Sequence, residues 1–327
     1  MTAPRRVDPE TLTSVVRRHL GPDASVTDLE RLSGGASRET WSFTAVDDAG
    51  GRSPLILRRD PPGASGLGTQ VDEYRLVAAA EAGGVAVAPL RFALEPDDDL
   101  GTGFVMDRVD GETLGRRIVR DDAFADARRA LARQCGQQLA LIHALPVDGS
   151  GLKVPAPGES TTLTQLERLV DGFEATRPAL ELGLRWLRVH APDDEERAVV
   201  HGDFRVGNLI AGPEGLRAVL DWELAHVGDP GEDLGWLCVR SWRFGGEGRV
   251  GGVGALGDLL DGYHAAGGRP VDEAAVRYWE VFGNVRWAVI CLVQTFSHLH
   301  GFRRSVELAA VGRRVCEVEH DLMELLG

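Results

Sequence analysis

The sequence predicts an α+β protein of two lobes, a small β-rich N-terminal lobe over residues 1–108 and a large, mainly helical lobe over 109–327. Apolar and polar residues alternate through 41–45, which is the period of a strand. Beyond residue 109, apolar residues recur mostly three or four positions apart, which is the period of a helix. With 327 residues, 43% of them hydrophobic, the chain is long enough for two domains and can build a sizeable core.

The first element is a helix that starts at Pro9. Asp8 is a favourable N-cap, and Pro9 in the first turn has no backbone N–H to leave unpaired. Apolar residues then follow at helical spacing as far as Leu20, and Gly21 with Pro22 ends the pattern.

A hairpin follows this helix. Strand-like alternation at 41–45 leads into the turn cluster 47–51, and the apolar run 55–57 predicts a second, more buried strand. A helix over 70–82 ends at two glycines, and a short apolar run occupies 104–106. We place the boundary between the lobes after residue 108.

The C-terminal lobe is predicted to be helical over 126–145, 271–300 and 305–326, with a loop over 147–160. Two short apolar runs, 198–200 and 218–220, flank a polar segment. They predict one short β segment within the helical lobe, with its polar side chains directed into a cleft.

Composition excludes several classes of protein. The 36 basic and 50 acidic residues give a net charge of −14, which argues against binding to nucleic acid or to a membrane surface. The first twenty residues lack the apolar segment of a signal peptide, and no apolar run is long enough to span a membrane. The four cysteines are far apart, which indicates free thiols and a cytoplasmic protein.

The polar segment has the residues that phosphoryl transfer from ATP needs. Asp203 and Asn208 are five positions apart, and Asp221 follows thirteen positions later. Transfer to a hydroxyl group needs a carboxylate that accepts the proton and hard oxygen ligands for Mg²⁺. Asp203 suits the first role, and Asn208 and Asp221 suit the second. Arg205, two positions after Asp203, is placed to reach the transferred phosphate.

The strings HGDFRVGN (201–208) and LDWE (220–223) resemble the catalytic-loop and metal motifs of the aminoglycoside phosphotransferase and choline kinase superfamily. The resemblance implies a protein-kinase-like fold, with ATP and Mg²⁺ as cofactors. It implies that Asp203 is the catalytic base and that His201 supports the loop, and we group Asp203, Arg205 and His201 as the catalytic residues. Asn208 and Asp221 become the Mg²⁺ ligands.

The N-terminal lobe extends the resemblance. Only one of the 36 basic residues is a lysine, Lys153, so Arg58 is the candidate where the family usually has a phosphate-binding lysine. Glu73 is its expected ion-pair partner. The hinge that would bind adenine through its backbone consists of Val105, Met106 and Asp107. A glycine-rich turn before the hairpin could bring backbone N–H groups to a phosphate; its residues are Ser33, Gly34, Gly35, Ala36 and Ser37.

A closer resemblance is to the kinase-like domains fused to some acyl-CoA dehydrogenases. It depends on the segment 57–63 (LRRDPPG), on HGDFRVGN and on the segment 278–288 (YWEVFGNVRWA). The name aminoglycoside phosphotransferase describes descent more than substrate.

The same resemblance implies that the helix over 271–300 forms a wall of the acceptor pocket. The acceptor is a small-molecule hydroxyl compound. The candidate pocket residues are Glu223, Asp233, Arg286, Trp287 and Gln294. Arg286 suits an anionic acceptor, whereas the net charge of −14 would attract a cationic one. The acceptor is therefore either an aminoglycoside-like alcohol or a hydroxy acid or hydroxyacyl-CoA.

Two other functions stay open at this point. A nucleotide-binding pseudokinase with a regulatory role is suggested by Arg58 in place of lysine, although the base and metal residues are complete. A module that keeps the fold but binds no nucleotide is the other alternative. The sequence leaves open the choice between ATP and GTP, the acceptor and the oligomeric state.

Overall fold

The computed structural model describes residues 6–32, 38–60, 73–148, 150–154, 162–173, 177–192 and 197–327. The chain divides into two compact units, the first ending at Gly111 and the second beginning at Glu112. The division lies three residues beyond the boundary expected after residue 108.

In its described part, the first unit has two helices and one antiparallel sheet of five strands in the order β1-β2-β3-β5-β4. In chain order the elements are α1 (Pro9–Leu20), β1 (Ser25–Leu32), β2 (Glu39–Val46), β3 (Arg52–Arg59), α2 (Glu73–Ala82), β4 (Leu90–Ala93) and β5 (Gly103–Asp107). The apolar face of α1 and one face of the sheet form a common core around Leu12, Phe43 and Leu57.

The predicted helix and hairpin occur where the sequence places them. Asp8 caps α1, since its Oδ1 accepts a hydrogen bond from the backbone N–H of Thr11 at 2.9 Å. In the hairpin, Trp41 pairs with Leu57. The sequence did not indicate β1 or β4. Five of the eight residues of β1 are exposed, and β4 has only four residues, so neither edge strand has a clear apolar alternation.

The second unit is mainly helical over the residues described, with two separate pairs of strands, β6 with β9 and β7 with β8. Its elements are α3 (Gly115–Arg120), α4 (Ala125–His143), α5 (Thr162–Asp171), α6 (Pro178–Val189), β6 (Ala198–Val200), β7 (Leu209–Gly212), β8 (Gly215–Val219), β9 (His226–Gly228), α7 (Gly231–Cys238), α8 (Leu256–Ala265), α9 (Glu273–Leu299), α10 (Val306–Val311) and α11 (Val315–Leu326). The single β segment expected here is thus two short sheets.

The helix predicted over 305–326 is divided into α10 and α11 by a 3₁₀ turn at Gly312–Arg314. Gly312 lies against α9 so closely that a Cβ atom would be 1.9 Å from the Thr295 Oγ1. The long α9 is buried on several sides and packs against α6, α7 and α11. None of the helices in the described ranges has the length and apolar character needed to cross a bilayer.

Candidate active site

The hairpin of β7 and β8 brings the two predicted metal ligands to the same end of one small sheet. Leu209 pairs with Val219, and the Leu220 N–H donates to the Asn208 carbonyl at 2.8 Å. Asn208 therefore immediately precedes one strand, and Asp221 comes two residues after the other. Asp221 has a left-handed backbone (φ 68°, ψ 64°), a conformation that Asp adopts more readily than bulkier residues.

Three side chains hold the carboxylate of Asp203. Its Oδ1 accepts from Trp236 Nε1 at 2.8 Å, and its Oδ2 accepts from Asn208 Nδ2 at 2.7 Å. The Nε of Arg205 lies 3.1 Å from Oδ1 and 3.2 Å from Oδ2. The structure thus brings Asp203, Asn208 and Arg205 together, as the sequence predicted. Trp236 was not predicted, because only its place in the string DLGW could have drawn attention to it.

His201 lies beneath this loop and has no solvent-exposed surface. Its Nε2 faces the Leu220 carbonyl at 3.0 Å, and its Nδ1 accepts from the Asp203 N–H at 3.2 Å. Burial lowers the pKa of His201, so the ring is neutral and carries its proton on Nε2. The grouping of His201 with the catalytic residues is therefore wrong: it cannot touch a substrate, and it links the loop to the residue before Asp221.

Asp233, in α7, supports the same loop from below. Its Oδ2 accepts from the His201 N–H at 2.8 Å, and its Oδ1 accepts from the Gly202 N–H at 2.9 Å. Its Oδ2 also lies 3.2 Å from His143 Nε2. Burial disfavours the charged carboxylate, but the contacts with His143 and His201 outweigh it and lower the pKa of Asp233. Asp233 is fully buried, so its assignment to the acceptor pocket is wrong.

The turn between His201 and Asp203 requires a glycine at position 202. Its φ of +80° is in the left-handed region, and a Cβ atom there would be 2.3 Å from the Leu224 carbonyl oxygen. The loop backbone therefore lies directly against the turn that follows Asp221.

Trp236 and Arg205, which contact the Asp203 carboxylate, belong to a cluster of aromatic rings and guanidinium groups. The ring centres of Trp236 and Trp242 are 5.0 Å apart, and those of Trp242 and Trp287 are 4.7 Å apart. Arg205 lies over the Trp242 ring at 5.0 Å, and Arg286 lies over the Trp236 ring at 5.1 Å. Two of the predicted acceptor residues, Arg286 and Trp287, thus belong to this cluster.

Apart from Asp233, two predicted acceptor residues remain, Glu223 and Gln294. Glu223 is partly exposed in the 3₁₀ turn that follows Asp221. Gln294 is partly buried on α9, about two helical turns beyond Trp287. Trp287 also packs into the core between α9 and its neighbours, so only part of its surface faces the cluster.

In the first unit, Arg58 on β3 forms the predicted ion pair with Glu73 on α2, with 3.1 Å between Nε and Oε2. The Glu73 side chain is only 3% exposed, and Arg38 also binds its Oε2. Arg38 in turn lies 3.1 Å from the Asp60 carboxylate. Arg38 was not predicted, because its contact with Glu73 joins residues 35 positions apart.

The neighbouring Arg59 has a different role, since successive side chains of a strand point to opposite faces. It is 2% exposed, and it binds Glu39 at 2.9 Å and the Leu100 carbonyl at 3.0 Å. These contacts tie β3 to β2 and to the chain before β5.

The predicted adenine-binding segment lies within the sheet. Val105 and Met106 are inside β5, which pairs with β3 on one side and β4 on the other. The Asp107 N–H donates to the Pro89 carbonyl at 2.8 Å. These residues thus lie in a strand that is paired on both sides, and adenine binding by this segment stays a prediction. The predicted phosphate-binding turn, 33–37, lies outside the described residues.

Comparison with known proteins identifies the lineage of this chain. Residues 28–279 match the model of the phosphotransferase enzyme family, APH. The chain belongs to this family. The match spans both units and includes the 201–208 loop, Asp221 and α7 of the phosphotransferase.

Among curated proteins, the phosphotransferase is similar to acyl-CoA dehydrogenase family member 10 of Mus musculus, at 29% identity over 224 residues. This match covers 65% of the chain and 20% of the mouse protein. The chain therefore spans only a fraction of the length of this relative. The resemblance to kinase-like domains of acyl-CoA dehydrogenases, expected from the sequence, is confirmed.

Among solved structures, the phosphotransferase is similar to a putative aminoglycoside phosphotransferase from Ralstonia eutropha JMP134. The TM-score is 0.72 at 22% identity, and the match covers 98% of both chains. It is also similar to the GDP complex of aminoglycoside 2′-phosphotransferase-IIIa, with a TM-score of 0.68 at 16% identity over 96% of this chain and 99% of the other. These likenesses confirm the predicted α+β, protein-kinase-like fold.

Proposed function

We propose that the protein transfers the γ-phosphate of ATP to a hydroxyl group of a small molecule, with Asp203 as the base. The observation that carries this proposal is the loop geometry. Asp203 is held by Asn208, and Asn208 is bonded through its carbonyl to the residue before Asp221. A hydrogen bond thus joins the proton acceptor to one oxygen ligand, and a backbone hydrogen bond holds the residue next to the second ligand. A base and oxygen ligands for Mg²⁺ are what phosphoryl transfer requires.

The residues present fit a magnesium ion. The Nδ2 of Asn208 donates to two oxygens of Asp203, so the Asn208 Oδ1 is directed away from Asp203. Asn208 and Asp221 would hold Mg²⁺, which typically takes one or two protein oxygens and completes its shell with phosphate and water. Bound Mg²⁺ would neutralise charge on the phosphates.

Arg58 is the proposed phosphate ligand of the first unit. Its guanidinium is oriented by Glu73, and Glu73 is itself fixed by Arg38. A similar structure was solved as a GDP complex, which supports a nucleotide as the phosphate donor. ATP is the proposed donor, with GTP as the alternative.

The experiment is Mg·ATP-dependent ADP release with an acceptor panel, run with the wild type and Asp203→Asn. The panel contains aminoglycosides, choline, sugars, macrolides, short hydroxy acids and hydroxyacyl-CoA. Loss of the base should lower kcat about 10²–10⁴-fold. Asp229→Asn, a carboxylate at the start of α7 that caps the Gly231 N–H, is the matched control and should retain most of the rate. An unchanged rate in Asp203→Asn would refute the role of Asp203.

A hydroxy acid or hydroxyacyl-CoA is the second candidate acceptor, and Arg286 favours it. This guanidinium is partly buried against Trp236, and within the described ranges it has no ion pair with a carboxylate. A cation on the ring that contacts the base would attract an anionic acceptor and repel a polycationic one. Arg286→Gln should raise KM for hydroxy acids roughly tenfold and leave KM for neutral alcohols unchanged.

A regulatory pseudokinase is the remaining alternative. It predicts Mg·ATP binding without turnover on any acceptor of the panel. The complete set of Asp203, Asn208 and Asp221 argues against it.

A further inference from the structure

Helix α7 contacts three consecutive residues of the loop that contains the proposed base. Asp233 accepts the backbone N–H groups of His201 and Gly202, and Trp236 donates to the side chain of Asp203. Asp233 and Trp236 are three positions apart, so they lie on one face of the helix. The contact from Asp233 fixes the loop backbone, whereas the contact from Trp236 reaches the carboxylate itself.

We propose that Trp236 is a positioning residue that holds the Asp203 carboxylate in the orientation needed to accept the proton of the acceptor hydroxyl. The inference rests on the proposed function, because it assumes that Asp203 is the base. It adds a residue that the motif of base and metal ligands does not contain.

The first argument is that each of the two Asp203 carboxylate oxygens has its own hydrogen-bond donor. Trp236 Nε1 binds Oδ1 at 2.8 Å, and Asn208 Nδ2 binds Oδ2 at 2.7 Å. One neutral donor on each oxygen fixes the rotation of the carboxylate about its last side-chain bond. Without Trp236, Oδ1 would keep only the longer contact with Arg205, which Arg205 shares between both oxygens.

The second argument is that the donor is itself rigid. Trp236 is 3% exposed, packs against Trp242 at 5.0 Å between ring centres, and carries Arg286 on its ring at 5.1 Å. A donor that is already oriented loses little freedom when the reaction occurs, which is how preorganised polar groups contribute to catalysis. Arg205, by contrast, is 25% exposed.

The third argument concerns where the hydroxyl group binds. Each carboxylate oxygen accepts about two hydrogen bonds, and the contacts with Trp236, Asn208 and Arg205 occupy both oxygens. An acceptor hydroxyl therefore takes the place of one of these donors. The shared, more exposed contact with Arg205 is the one that yields, and Trp236 and Asn208 keep the carboxylate in place.

The test is a double-mutant cycle on kcat. Trp236→Phe keeps a ring in the cluster and removes only the N–H donor. It should lower kcat about 10- to 100-fold, the range expected for one hydrogen bond to a charged group, with KM for ATP and for the acceptor unchanged. In the Asp203→Asn background the same substitution should have no further effect, because the residue it positions is gone.

Trp287→Phe is the matched control. Trp287 belongs to the same ring cluster, and its buried Nε1 has no hydrogen-bond partner in the described part of the chain. Its effect on kcat, whatever its size, should be equal in the two backgrounds. Melting temperatures of all variants, with and without Mg·ATP, establish that each is folded and binds nucleotide.

The outcomes separate the two proposals. If Asp203→Asn lowers kcat but Trp236→Phe does not, the role of Trp236 is wrong and the proposed function stands. If Trp236→Phe lowers kcat equally in both backgrounds, the effect of Trp236 does not depend on the Asp203 carboxylate. The inference is then also overturned. If Asp203→Asn retains its rate, the proposed base is wrong, and the role of Trp236 with it.

Discussion

Asp233 and Gly202 are joined by a hydrogen bond of 2.9 Å, in which the backbone N–H of Gly202 donates to a fully buried carboxylate oxygen. The other oxygen of Asp233 accepts from His201 and lies near His143. A buried charge is costly unless it is paired and hydrogen-bonded, and this carboxylate has partners on both oxygens. The loop conformation and the ionisation of Asp233 therefore stabilise each other.

Asp233→Asn should destabilise the protein by about 1–3 kcal/mol, the usual cost of leaving a buried donor unsatisfied. An amide has one acceptor oxygen, so its NH₂ group would face one of the two backbone N–H donors. Urea unfolding measures the change. Asp229→Asn is the control, because an asparagine oxygen can still accept the hydrogen bond from the Gly231 N–H, so this replacement should cost less. Equal losses in the two variants would contradict the bracing role of Asp233.

Gly202→Ala should destabilise the protein by more than about 1 kcal/mol for two reasons: alanine disfavours the positive φ at this position, and its Cβ atom would clash with a neighbouring carbonyl oxygen. The φ of Gly202 is +80°, and the new Cβ would meet the Leu224 carbonyl at 2.3 Å. Gly257→Ala, in α8, is the control. A Cβ atom there has nothing within 4 Å, and a helical alanine should stabilise by about 0.5–1 kcal/mol. Opposite changes in melting temperature are expected, and a neutral Gly202→Ala would refute the argument.

Local signals in the sequence were enough to predict several parts of the fold. Asp8 and Pro9 mark the start of α1, and the turn cluster 47–51 separates two paired strands. The spacing of Asp203, Asn208 and Asp221 indicated a common site. The β7–β8 pairing brings Asn208 and Asp221 to the same end of a sheet, and a hydrogen bond joins Asn208 to Asp203. These features depend on residues close in the chain, where caps, turns and periodicity act directly.

The remaining features depend on packing between distant residues. Trp236 reaches Asp203 over 33 positions, and Arg38 reaches Glu73 over 35. Neither contact leaves a periodic or spacing signal. The pairing of β5 on both sides could not be foreseen either. Met106 pairs with Ile56 of β3 and with Leu90 of β4, and β4 had not been predicted.

Arg58 and Arg59 are adjacent but should give opposite phenotypes. Arg58→Ala should raise KM for ATP roughly tenfold, through loss of a charge-assisted contact with phosphate, with little change in melting temperature. The fold tolerates the change because Arg38 still pairs with Glu73.

Arg59→Lys should lower stability by about 1–3 kcal/mol, because lysine cannot bind both Glu39 and the Leu100 carbonyl as the guanidinium fork does. Its KM for ATP should be unchanged. Exchanged phenotypes would show that Arg59 is the phosphate ligand.

His226 should make stability fall as pH rises. Its Nε2 lies 3.2 Å from the Glu232 carboxylate, and its Nδ1 lies 2.9 Å from the Leu224 carbonyl. Burial and nearby Arg286 disfavour the charged ring, but Glu232 and the carbonyl outweigh them and raise the pKa of His226 above 6.5. The folded protein thus holds this proton more tightly than the unfolded chain does. The stabilisation is fully present below pH 6.5 and is lost as pH rises through the raised value.

The measurement is the free energy of urea unfolding for the wild type and His226→Gln between pH 5 and 9. The difference between the two proteins should be largest at pH 5 and should shrink at alkaline pH, where the ring is neutral in both states. His320→Gln is the control, because His320 and Glu324 form an exposed pair on α11, 68% and 54% exposed, and such pairs contribute little. A difference for His226→Gln that grows with pH would mean that burial, rather than Glu232, determines the charge of this ring.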